Sequence, residues 1–201
     1  MIHVEIAAQC KSLLQSVRQP ALAPFLAEWP HTYESRAVAA SALPVLRWLP
    51  DMARDAAAFG ADLVAALCRA APSLPWRQTY TADELDAAFL DNYGWSEIIG
   101  ANGPLAAARI NCGFLILGPS TRYPRHRHDA EEIYLPLSGT ADWQQGDGSW
   151  RERPPGTMIC HASDEPHAMR TGAAPLLALY LWRGANLAQK SRLDTGSTKN
   201  P

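Results

Sequence analysis

Up to about residue 92, apolar positions recur at helical spacing in a chain rich in Ala and Leu and punctuated by Pro, which predicts helices over roughly 3–18, 33–41, 51–71 and 82–91. The last of these opens on Thr81 and Glu84, three residues apart as in a capping box, where the Thr hydroxyl can satisfy free amides and the Glu can reach back. Beyond Gly94 the period changes. Short apolar or alternating runs separated by Gly, Pro, Asn and Asp predict strands over 95–99, 106–117, 131–137, 140–144, 149–152, 156–160, 167–171 and 176–183. The run from Gln145 to Gly148 (QGDG) between two of them reads as a hairpin turn. Many short strands with no helices between them argue for an antiparallel sandwich or barrel rather than a parallel sheet. Three parts follow: a helical extension packed on the barrel (1–92), the barrel (93–184) and a polar tail expected to fray (185–201).

Composition narrows the function classes. With 47% hydrophobic and 19% charged residues in a chain of 201, there is enough apolar material for one well-cored domain with an extension. The formal net charge is -2 and no long Lys/Arg run occurs, so there is no electrostatic footprint for nucleic acid or an anionic membrane. Arg122, Arg125 and Arg127 are too few, and too interleaved with histidines, to form one. The start MIHVEIAAQCKSLL lacks the basic, apolar and small-residue order of an export signal, and no apolar window reaches membrane-spanning length. Cys10, Cys68, Cys112 and Cys160 are dispersed, which predicts reduced thiols in a cytoplasm.

Candidate chemistry concentrates between Gly118 and Gly139. If 126–134 is extended, His126, His128, Glu132 and Tyr134 project from one face while Arg127, Glu131, Ile133 and Leu135 project from the other. Two imidazoles and a carboxylate inside a barrel must be satisfied by something, and a divalent transition metal does so. This donor set suits Fe, Zn, Mn, Co or Ni, and no thiolate is near enough to suggest a structural zinc site. A lone His-x-His would be read as surface histidines. Here His-x-His is followed after three residues by Glu132 and after six more by Gly139, which matches the first cupin motif, although seven residues rather than five separate Gly118 from His126. Further on, Gly156 leads to His161 and then to Pro166 and His167, which resembles the second cupin motif with His167 as ligand and His161 as its rival, structural or one shell out.

A helical first half is unusual beside a small cupin barrel, and with it the chain resembles the dimethylsulfoniopropionate lyases of the DddQ type, most strongly from Tyr93 to Trp182. The matching residues are Tyr123 to His128 (YPRHRH), Glu132 to Tyr134, Pro166 with His167, and Leu179 to Trp182 (LYLW). The resemblance implies a cupin fold, an antiparallel double-stranded β-helix barrel, preceded by an α-helical segment. It implies one divalent metal held by His128, Glu132 and His167 with Tyr134 at or on it. Tyr123 and His126 would line the substrate pocket, and Trp182 would face the cationic sulfonium. The implied reaction yields dimethyl sulfide and acrylate by removing a proton α to the carboxylate, with Tyr134 as the preferred base and Tyr123 as its alternative. The sulfonium is already a good leaving group and needs only an aromatic wall. Tyr93 and Trp95 are expected to pack helix against barrel.

Two other classes share these ligands. One is a different small-molecule metal cupin enzyme, a dioxygenase or isomerase, of which thiol dioxygenases are disfavoured by Glu132. The other is a non-enzymatic ligand-binding cupin, disfavoured as a DNA-linked sensor by the lack of a basic recognition helix. The expected partner is a small molecule, with a homodimer admitted for assembly and neither nucleic acid nor membrane expected.

Overall fold

In the computed structural model, which describes residues 2–194, the helical period of the first segment yields α1 (Ile2–Val17), α2 (Ala23–Ala27), α3 (Leu49–Arg54), α4 (Ala61–Ala70) and α5 (Ala87–Leu90). The strands are β1 (Glu34–Ser35), β2 (Tyr93–Gly100), β3 (Leu105–Ala106), β4 (Ile110–Leu117), β5 (Arg122–Arg127), β6 (Glu131–Ser138), β7 (Ala141–Gln145), β8 (Arg151–Arg153), β9 (Ile159–His161), β10 (His167–Thr171), β11 (Leu176–Arg183) and β12 (Arg192–Leu193). They form a seven-stranded sheet in the order β1-β3-β2-β4-β11-β6-β9 and a five-stranded sheet in the order β12-β5-β10-β7-β8. Every pairing is antiparallel except the short β2–β3 contact. No helix among the described residues is long and apolar enough to cross a membrane.

Strand alternation sorts the apolar side chains into two cores. From β11, Leu177, Leu179 and Leu181 join Ile133, Leu135 and Leu137 of β6 on the outer face of the large sheet, where Ile6, Cys10 and Leu14 of α1 and Val64 and Leu67 of α4 cover them. The alternate residues Ala178 and Tyr180, with Tyr134 and Leu115, point into the barrel beside Trp143 and Met169 of the small sheet. The large sheet is therefore apolar on both faces, which is why its strands read as unbroken hydrophobic runs. Gly113 on β4 allows the close approach inside: a Cβ there would lie 2.8 Å from Tyr180 Cε1 and 2.2 Å from the Ser96 carbonyl.

Several elements depart from the expected pattern. No helix forms over 33–41; instead β1 pairs with β3, and the Arg36 guanidinium donates to the carbonyls of Gly100 and Ala101. Its alanines are largely exposed, and propensity without a buried apolar stripe does not hold so short a helix. The expected 51–71 helix is split, because Ala57 N–H donates to the Leu137 carbonyl at the end of β6. The last helix begins at Ala87, since Asp86 caps the Phe89 amide at 2.8 Å, while Glu84 does reach back to Thr81 N at 3.0 Å in the turn before it. The tail does not fray where it is described: Leu187 and Ser191 are buried and β12 pairs Leu193 with His126. The rest of it, 195–201, lies outside the described residues.

The stretch 126–134 is not one strand. It breaks at 128–130, so β5 runs in the small sheet and β6 in the large one. The same-face relation survives because both strands face the barrel interior. Gly139, which closes the first motif, turns the chain from β6 to β7 with φ +78, and a Cβ there would lie 2.0 Å from the Pro175 carbonyl. Gly139→Ala is expected to cost about 1 to 3 kcal/mol, read as a lowered denaturation midpoint; an unchanged midpoint would show that the turn relaxes freely.

Candidate metal centre and cavity

Two rows of side chains face each other across the barrel. In the small sheet His167 of β10 lies directly opposite His126 of β5. In the large sheet Glu132 of β6 has Trp182 of β11 opposite it on one side and His161 of β9 on the other. His128 closes the corner between the sheets. All four histidines and Glu132 are at most 2% exposed.

The ring orientations are set by backbone carbonyls. The Nδ1 atoms of His126, His128 and His167 lie 2.9, 3.0 and 2.9 Å from the carbonyls of Pro124, Ala130 and Glu165, each two residues away in the chain. A carbonyl only accepts, so each Nδ1 carries a proton, and it is the Nε2 of each ring that is turned to the interior, a lone pair whenever the ring is neutral. That is the tautomer in which a histidine ligates a metal. The lone pairs converge on Glu132, whose Oε2 lies 2.9 Å from His128 Nε2 and 3.2 Å from His167 Nε2. Lone pairs facing a carboxylate repel unless a proton or a cation lies among them.

Electrostatics agree. Burial works against the charge on Glu132, yet His128 and His167 hold its carboxyl well below the usual range. Burial would lower His128, but the Glu132 charge outweighs it and raises the imidazole. Burial depresses His126 strongly and His161 to about 3, so both rings are neutral near pH 7. His161 lies flat on His167, with ring centroids 3.9 Å apart, and neither of its nitrogens has a hydrogen-bond partner.

Two donor groups fit a metal ion. The ligand atoms of His126, His128 and His167 lie within 4.8 Å of one another, as do those of Glu132, His161 and His167. Donors bound to one ion at about 2.1 Å sit roughly 3 to 3.5 Å apart, so slight closure around a divalent ion satisfies either set. The orphaned nitrogens and the crowded carboxylate are what such an ion would satisfy, and the N/O donor set is that of a transition metal. His161, set aside from sequence as a rival, is thus brought to the cluster with His167 rather than left outside it.

Beside the cluster lies a cavity of about 320 Å³ whose wall includes Trp95, Glu132, Tyr134, Tyr180, Trp182 and Lys190. Tyr134 lines it; burial, and after it the Glu132 charge, push its phenol well above the ordinary value. Trp182 also lines it, but its Nε1 donates to Glu132 Oε1 at 2.5 Å and its ring lies over His128 at 4.2 Å, so it orients the carboxylate as well as walling the cavity. Tyr123 and His126 are not part of that wall. Tyr123 is stacked on His126 at 4.0 Å, its hydroxyl 3.2 Å from Tyr93 and 3.5 Å from Tyr80 in an aromatic cluster behind the imidazoles. Tyr93 packs on Phe89 of α5, as expected for helix-to-barrel packing. Trp95 instead faces the cavity and donates to Thr79 Oγ1.

Some of this wall escaped the sequence reading. Tyr180 and Glu97 carried a signal, as polar positions inside apolar strands. The segment 187–191, which crosses the cavity and is tied down by Lys190 to Glu84, carried none beyond a single buried Leu187.

Comparison with known proteins places these features in context. The family model for dimethylsulfoniopropionate lyase matches residues 21–178. Dimethylsulfoniopropionate lyase DddQ of Ruegeria pomeroyi is 35% identical over 170 residues, 83% of each chain. Its crystal structure superposes with a TM-score of 0.86 and 30% identity over 98% of both chains. A cupin-2 domain protein of Rhodospirillum rubrum, 17% identical, superposes with a TM-score of 0.50 over 63% of this chain and 78% of its own, a likeness of fold alone.

Proposed function

The chain belongs to the dimethylsulfoniopropionate lyase family, a cupin barrel with N-terminal helices, and from that premise we propose that it cleaves dimethylsulfoniopropionate to dimethyl sulfide and acrylate at the cavity beside Glu132. The observation that carries this is a buried carboxylate ringed by Nε2-presenting histidines and opening onto an aromatic cavity of small-molecule size.

His128, Glu132 and His167 would hold a divalent ion, with His126 or His161 completing the set from the small or the large sheet. When bound, the ion supplies a Lewis acid that draws charge from a substrate carboxylate and lowers the barrier to removing the neighbouring proton. The residues of the chain do the rest. Tyr134 stands in the cavity wall as the base. Burial and Glu132 keep its proton in place, so the phenol gives that proton up to solvent, leaving the phenolate, only when positive charge enters the site. The phenolate takes the Cα proton, the C–H pair becomes the Cα–Cβ double bond, and the Cβ–S bond breaks with its electrons on sulfur, releasing neutral dimethyl sulfide. Trp95, Tyr180 and Trp182 provide aromatic faces for the sulfonium, each worth about 0.5 to 2 kcal/mol. Segment 187–191 limits water at the reacting atoms.

Headspace detection of dimethyl sulfide from purified, metal-loaded protein given dimethylsulfoniopropionate tests the proposal. Release that stops on chelation is expected; none from protein shown to contain metal would reject the substrate. Because Trp182 donates to Glu132, Trp182→Phe is expected to weaken metal binding about 10- to 100-fold, read by competition with a chromogenic chelator. Unchanged affinity would reduce Trp182 to a cavity wall.

A further inference from the structure

We propose that Glu97 is the counter-charge for a cationic head group, so that the cavity takes onium carboxylates in preference to neutral ones of the same shape. This rests on the lyase reading only for the end at which the substrate carboxylate binds.

Glu97 sits on β2 among apolar neighbours, is 2% exposed, and lines the same cavity as Glu132 and Tyr134. Strand register puts it in one row with Gly113, Tyr180 and Tyr134. Three strand spacings separate Glu97 from Tyr134, about 14 Å of backbone, which after two inward side chains leaves room for a chain of a few atoms. A ligand whose carboxylate is held near Glu132 would therefore present its other end towards Glu97.

The carboxylate is only half satisfied. Oε1 accepts from the amides of Asn102 at 2.5 Å and Gly103 at 2.7 Å, whereas Oε2 has no hydrogen-bond partner among the described residues, and no cationic side chain among them forms an ion pair with it. Arg36 is engaged by the carbonyls of Gly100 and Ala101, Arg77 is exposed at the rim, and Lys190 is paired with Glu84. An unpaired buried carboxylate is costly. Burial accordingly pushes Glu97 up to about 7, against the pull of the two amides and, more weakly, of the Arg36 and Arg77 charges, neither of which is within ion-pair distance. A bound cation would remove that cost. A sulfonium or quaternary ammonium donates no hydrogen bond, so a carboxylate charge behind aromatic faces is the chemistry that recognises it, and Trp95, Tyr180 and Trp182 line this cavity.

The competing role for Glu97 is to tie down the turn at 100–103. Glu97→Gln separates the two, since a Gln oxygen accepts from the same amides without the charge. The probes are 3-(trimethylammonio)propanoate and its neutral isostere 4,4-dimethylpentanoate, titrated calorimetrically into metal-loaded protein. Wild type is expected to prefer the cation at least about tenfold, and Glu97→Gln to lose about tenfold for the cation but less than about twofold for the isostere, at an unchanged melting temperature. Equal loss for both probes, no loss, or no preference for the cation in wild type would overturn the inference. A protein that shows the preference yet releases no dimethyl sulfide would overturn the lyase reading and leave this one standing.

Discussion

Glu132→Gln is expected to strip the protein of bound metal and to lower dimethyl sulfide release by more than about 100-fold, beyond the effect of losing a supporting contact. Glu132 is the anion towards which the imidazole nitrogens turn: Oε2 faces His128 and His167, while Oε1 accepts a hydrogen bond from Trp182 Nε1. The amide has the same shape but no charge, and its NH2 group would point a donor at one of these partners. Metal content by elemental analysis and headspace sulfide should fall together while the melting curve stays cooperative. Retention of both metal and turnover would move the metal centre to the three histidines His126, His128 and His167.

Tyr134→Phe is expected to reduce kcat by about 10²- to 10⁴-fold with little change in KM, whereas Tyr123→Phe should cost less than about tenfold. The two phenols stand in different places. Tyr134 borders the cavity next to Glu132, while Tyr123 is stacked behind His126 and shares its hydroxyl with Tyr93 and Tyr80. Burial, followed by the charges of Tyr93 and Tyr80, pushes Tyr123 far up, so it holds its proton in a setting remote from the reacting atoms. Steady-state kinetics of both variants in parallel decide the point. The reverse order of effects would make Tyr123 the base and require it to reach the cavity by rotation of His126.

The outer architecture was readable where periodicity was strong. Strands expected at 131–137, 167–171 and 176–183 follow from short apolar or alternating runs bounded by turn residues, and the two in the large sheet are unbroken runs because one side meets the helices and the other the barrel interior. Over 33–41 Ala richness favours a helix, yet without a buried stripe the backbone bonds of Arg36 to Pro104 and Ser41 to Leu74 prevail. For 185–194, polarity suggested fraying, and only the docking of Leu187 and the pairing of β12 with β5 hold it down.

At the site, the identity and spacing of His126, His128, Glu132, Tyr134 and His167 announce a metal centre, since donor type and same-face placement are local properties of a chain. Which donors meet is not local. The break at 128–130 divides the motif between two sheets, and the curvature that brings those sheets face to face also brings in His161, turns Trp182 onto Glu132, removes Tyr123 from the cavity wall and sets Glu97 at its far side. Covalent order along one strand specifies donors two residues apart, whereas a contact between residues 50 positions apart, such as Trp182 with Glu132, depends on how every intervening element packs, and only the folded barrel decides it.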